Sequence, residues 1–299
     1  MDGVDNRSEV RQFLSTRRAK LTPDQVDMPL FGGKRRVPGL RREEVALLAG
    51  VSVDYYTRME KGNLTGVSEA VLDAVAGALR LDDAERAHLH DLARAANTSP
   101  SRTPRRKPPQ VRPSIARILD SMIGAAAFVR NGRLDIVAVN QLGRALYAPA
   151  FDIPEQPVNL ARFAFLDPSA RDFYADWDDA TDTTVALLRT EAGRDPYNRA
   201  LSDLVGELAT RSEPFRTRWA AHNVRLHHTG TKRFNHPVVG RLDLTYDSLE
   251  LPGEPGLTIT AYTAEPATPS ADALQLLASW TAPEHPHPAD TTDNHEVEP

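Results

Sequence analysis

Arg58, Asp54 and Val53 stand close together in RREEVALLAGVSVDYYTRMEKG, residues 41–62. These side-chain types read base edges. A guanidinium can donate two hydrogen bonds to guanine O6 and N7, a carboxylate can accept from a cytosine amino group, and a methyl-bearing side chain can touch thymine. Ser52 and Thr57 suit phosphate or base contacts, and Tyr55 and Lys61 complete the exposed set. Just upstream, Lys34, Arg35, Arg36, Arg41 and Arg42 place five cations in nine residues. Local density of this kind attracts phosphate.

Such a surface needs two helices and a sharp turn to present it. Ala46 and Gly50 are four apart and share a helix face, and the small Ala46 lets the second helix cross closely. Gly50 supplies the positive φ of a tight turn. Ser52 is the N-cap of the second helix, and Gly62 closes it. Val45, Ala49, Val51, Tyr56 and Met59 fall where the pair must bury apolar contacts. The pattern is that of a DNA-reading helix-turn-helix, an ordinary helical hairpin being the plainer alternative.

The net charge of −5 suits such a role only once it is divided along the chain. Residues 1–99 are balanced, with 15 basic and 15 acidic side chains; 100–113 hold five cations and no acid; 114–299 hold 16 against 26. The acidity therefore lies in the C-terminal half. A hydrophobic content of 40% supports two cores, in keeping with 299 residues. Cysteine is absent, which excludes disulfides, cysteine-ligated zinc, iron–sulfur clusters and thiol catalysis. No apolar run approaches the roughly 18 residues of a membrane span, and no signal peptide is recognisable, so a cytoplasmic location is expected.

In chain order, a first helix is predicted over about residues 8–21, then an irregular Pro/Gly-rich loop to Leu40. Ser68 caps a fourth helix, and Asp82 with Glu85 forms a capping box for a fifth. The boundaries expected are 1–97 for an all-α domain, 98–113 for a basic Pro-rich linker, 114–280 for an α+β domain and 281–299 for a disordered tail. In the second domain a short helix at 114–122 precedes a hairpin turned by Asn131-Gly132, whose type favours a two-residue I′ turn. Helical patterns cover 141–147, 160–165, 170–191 and 197–222, with a break near Pro214. Strands are expected at 224–228, 240–251 and 257–265, and a closing helix at 272–280. This predicts an antiparallel sheet with helices on one face.

Phe163, Phe165, Phe173, Tyr174, Trp177 and Trp219 are the candidate lining of a cavity, core packing being the bland alternative. Arg194 or His236 could meet a ligand carboxylate or serve structure. The spacing of His222, His227, His228 and His236 fits no zinc motif. No G-x-S-x-G elbow, Gly-rich phosphate loop or nucleophile with a base partner points to catalysis. The alternatives to a DNA-binding regulator are a C-terminal enzyme acting on a lipid-like substrate, or a mere dimerisation module.

The N-terminal helices resemble the Xre (lambda-repressor-like) class. VPGLRREEVALLAGVSVDYYTRME with VLDAVAGALRLDDAERAHL is more specific and resembles the actinobacterial MmyB-like transcriptional regulators. The resemblance continues through GAAAFVRNGRLDIVAVNQLGRALY, NLARFAFLDP, RDFYADWDDAT, LLRTEAGRDPYNRAL and GTKRFNHPVVGRLDLTYDSLELP, about residues 8–280. It implies a PAS-like C-terminal domain holding a fatty-acid-like effector; from the residues themselves, no other cofactor and no metal is expected. It also implies that Glu60 pairs with Arg17 or Arg18 of the first helix. The loop Asn63-Leu64-Thr65-Gly66-Val67 departs from relatives, which carry basic residues and a proline there. A homodimer on a double-stranded operator is the expected assembly.

Overall fold

The computed structural model describes residues 6–26, 39–98, 111–224 and 228–281. Helix α1, Asn6–Lys20, buries Val10, Phe13 and Leu14 on one side. A 3-10 turn, Pro23–Val26, follows. Lys34, Arg35 and Arg36 lie outside the described residues. Helices α2, Arg42–Leu48, and α3, Val53–Glu60, form the predicted pair. Gly50 and Gly62 have φ of +66° and +96°, the left-handed region that both turns demand. Val45, Ala49, Tyr56 and Met59 are buried as expected, and Val51 packs half-buried against the same core. Helix α4, Glu69–Ala78, starts at the Ser68 cap, and α5, Asp83–Asn97, at the Asp82–Glu85 capping box. Local hydrogen bonds thus set most of these boundaries.

The C-terminal half opens with α6, Pro113–Ser121, and the strands β1, Ala126–Asn131, and β2, Ile136–Val139. Short helices follow: α7, Gln141–Leu146; α8, Ala148–Phe151; α9, Leu160–Leu166; and α10, Ser169–Phe173. Then come α11, Trp177–Arg194; α12, Arg199–Arg211; and α13, Glu213–Ala220. Strands β3, Thr229–His236; β4, Gly240–Glu250; and β5, Leu257–Thr263 precede α14, Pro269–Thr281. The five strands are antiparallel, in the order β2-β1-β5-β4-β3. Beyond Thr281, the tail lies outside the described residues.

Four expectations change here. The β1–β2 connection is not a two-residue turn. Leu134, at φ +67°, takes the left-handed position, and Asn131 N donates to Asp135 O at 3.1 Å. Gly132 serves close approach instead, because a Cβ there would collide with the Glu191 carboxylate. The helix predicted over 170–191 is two helices. Between them Tyr174 bridges to Phe234, and Ala175 N donates to Arg233 O at 3.2 Å, so the chain spends these residues on the β3 edge.

The third strand begins at Thr229, not Val224. Val224 is buried in the core of the N-terminal half, while only Phe234 and His236 of the polar β3 are buried. Finally, helices cover both faces of the sheet. Ile115 and Leu119 of α6 pack on Ala127, Val129, Leu257 and Ile259, opposite the face that carries Phe128, Phe234 and Tyr262.

Candidate nucleic-acid interface and ligand site

Helix α3 presents Val53, Asp54 and Arg58 as exposed side chains, with Tyr55 and Thr57 half-buried and Lys61 exposed just beyond. The Arg58 guanidinium lies 4.9 Å from the centre of the Tyr55 ring, which orders it on the exposed face. Ser52 Oγ accepts from Tyr55 N at 3.1 Å, so only its hydroxyl hydrogen is free for a phosphate. Replacing Ser52 by alanine should cost about 1 kcal/mol of stability, read as a shift in the denaturant midpoint. An unchanged midpoint would mean that the cap contributes nothing.

Glu60 anchors the end of α3. It accepts from Arg18 Nε and Nη2 at 3.1 and 2.8 Å, as the resemblance implied, and also from Arg42 Nε at 3.2 Å. Burial pushes its carboxyl up, but these arginines hold its pKa below the ordinary carboxylate value. Arg42 is therefore tied to α3 as well as standing near the candidate surface. Arg41 is partly exposed and pairs with Glu43 at 3.4 Å. Leu47, Leu48 and Val53 of the same two helices are exposed apolar side chains, and the two leucines escaped the sequence reading.

The six aromatic candidates for a cavity lining divide into three settings. Phe163, Phe173 and Tyr174 belong to a closed ring cluster with Tyr147, Phe234 and Tyr262, in which the Tyr147 and Tyr262 hydroxyls meet at 3.0 Å. Phe165 and Trp219 pack on Phe215 in a second cluster, with centroids 5.0 and 5.6 Å away. Trp177 donates from Nε1 to Ala164 O at 3.0 Å and carries Arg171 over its ring at 4.0 Å. Tyr174 and Trp177 line an open groove of about 940 Å³ whose other walls include Asp176, Asp178, Asp179, Arg233 and Asp243. That wall is polar, unlike the apolar cavity expected. Arg194 pairs with Glu250 and Asp91 at 3.1 and 3.5 Å, and His236 contacts the Ala145 carbonyl at 3.0 Å. Among the described residues no group of histidines and carboxylates could hold a metal.

A third feature joins the two halves directly. Arg189 of α11 is wholly buried and donates to Glu9 of α1 and to the Trp219 carbonyl. Arg17 donates to the His222 carbonyl and pairs with Glu85 at 3.1 Å. Gly193 lies so close to His88 of α5 that a Cβ would come within 2.5 Å of the ring. Burial raises the Glu9 pKa, yet the neighbouring His222 and His88 and the charge of Arg189 hold it well below 4.5. Reading by segment misses this contact, although an arginine within the apolar run VALLRTEAG was the available signal.

No helix among the described residues is long and apolar enough to cross a membrane. A search of curated proteins returns no match to the chain. A helix-turn-helix domain model matches residues 9–89, and the MmyB-like transcription regulator ligand binding domain matches residues 111–277. The second match spans more than half the chain and follows the helix-turn-helix just described, so the chain belongs to the MmyB-like transcription regulators.

Proposed function

We propose that this DNA-binding, ligand-responsive regulator is a non-enzymatic homodimer on a double-stranded, pseudo-palindromic operator, and that its C-terminal half senses a small apolar acyl compound. The observation that carries the reading is the placement of α11. This helix docks on α1 and α5 through Arg189 and Gly193 and also belongs to the effector half. The strand order β2-β1-β5-β4-β3 supports a PAS-like description of that half. Ligand binding shifts operator affinity only by the difference in its affinity for the two DNA-binding states.

Footprinting tests the assembly: two protected half-sites about one helical turn apart, or a multiple, are expected. A single unsymmetric half-site would count against it. Mass spectrometry of the organic extract from purified full-length protein tests the effector. Adding the recovered acyl compound should change operator affinity about 5–150-fold, the span of typical couplings. Unchanged affinity leaves the C-terminal half as a dimerisation module.

A further inference from the structure

Helix α6 carries more apolar surface than the sheet takes up. Ile115 and Leu119, four apart, are buried against Ala127, Val129, Leu257 and Ile259. Ser114, Ile118 and Ser121, spaced by four and three, make a second face of the same helix, and all three are exposed. Ile118 keeps 45% of its surface open. Ile123, just past the helix end, keeps 83%, the most of any large apolar side chain among the described residues. A lone exposed isoleucine needs no explanation. The charges around this one point to an occupant.

Arg117 and Asp120 flank Ile118. Both are exposed, and among the described residues neither makes an ion pair or a hydrogen bond. They are three apart, so one flank of the helix carries both. They also stand at equal distances on either side of the midpoint between Ile118 and Leu119. A two-fold axis through that midpoint, with two α6 helices antiparallel, sets Arg117 of one copy level with Asp120 of the other, and the reverse. The two Ile118 side chains then meet at the centre, where the small Ser114 and Ser121 allow close approach. Ile123 falls level with Ser114 of the other copy. A self-complementary patch of this kind is what a contact between identical chains requires.

We propose that this face of α6 is the contact between two copies of the chain, an antiparallel helix pair centred on Ile118 and flanked by two Arg117–Asp120 bridges. The inference rests on the homodimer reading and adds the surface that makes it. Helix α6 is only nine residues long, so the pair covers less than the roughly 1,200–2,000 Å² of a standard interface. The dimer is therefore weak and its population depends on concentration.

Sedimentation of the full-length protein over a range of concentrations tests the surface. The unmodified protein should pass from monomer to dimer as concentration rises. Ile118→Glu, which brings two carboxylates together at the centre, should weaken the dimer about a hundredfold. Arg117→Asp and Asp120→Arg should each weaken it about tenfold, because each turns both bridges into like-charge contacts; the double reversal should restore most of the affinity. Leu276→Glu, at an exposed apolar position of α14, should leave the dimer unchanged. Melting curves establish that each variant folds, and the charge reversals carry the test if Ile118→Glu does not. If the dimer survives Ile118→Glu, or the double reversal stays as weak as the single ones, the surface is overturned while the homodimer reading stands. The same holds if Leu276→Glu alone dissociates it. If the unmodified protein is a monomer at every concentration, both are overturned.

Discussion

Glu9→Ala should release the helix-turn-helix half from the effector half. Glu9 is 4% exposed and Arg189 wholly buried, so the substitution leaves a guanidinium enclosed beside His222 without its carboxylate. Removing one partner of a buried pair costs about 3–5 kcal/mol, chiefly through the charge left behind. The remaining docking contacts include the Val224 side chain in the helical core, Arg17 on the His222 carbonyl, Arg194 on Asp91, Lys20 on Asn223 and the Gly193–His88 approach. Calorimetry should show one transition in the unmodified protein and two in Glu9→Ala, the first shifted to lower temperature. An unaltered single transition would mean that the pair does not hold the halves together.

The pH dependence follows with a definite sign. The folded-state pKa of Glu9 is depressed, so its contribution is complete above the ordinary value of 4.5 and fades as pH falls below it toward the folded value. Docking should therefore weaken on acidification through that window, and Glu9→Ala should flatten the response.

The linker at 98–113 suggested halves that communicate only through dimer geometry. The direct contact offers a shorter route, because any shift of α11 must also move Arg189 and Gly193 against α1 and α5. Operator affinity in the Glu9→Ala protein should then respond less to an acyl effector than in the unmodified protein.

Arg58→Ala should abolish discrimination at one base pair in each half-site. Its guanidinium is exposed on α3 and held over Tyr55, free of any carboxylate among the described residues. A bidentate contact to guanine is worth roughly 1–3 kcal/mol against the wrong base. Competition between the operator, single-base variants and random duplex should lose that difference at one position while random-duplex affinity changes little. Alanine at Arg35 and Arg36 should behave oppositely, lowering affinity for every sequence and flattening its salt dependence. An equal loss for operator and random duplex in Arg58→Ala would make it a phosphate contact.

The N-terminal half was legible in the sequence because its decisive interactions are local. Ser52, Ser68 and the Asp82–Glu85 box bond to backbone groups three residues away, and Gly50 needs only its own φ. The helix-turn-helix and its outward side chains follow from those spacings and from apolar periodicity. Tertiary structure decided what depends on distant partners. Arg189 meets Glu9 across 180 residues, and Val224 leaves its expected strand to fill the other half's core. Tyr174 and Ala175 break a predicted helix to bond the β3 edge. The aromatic residues read as a cavity lining are largely spent on core packing. Alternation along a strand shows which residues share a face but not what that face meets. Only the placement of the helices over the sheet determines that, because burial and pairing of charge depend on whole elements brought together.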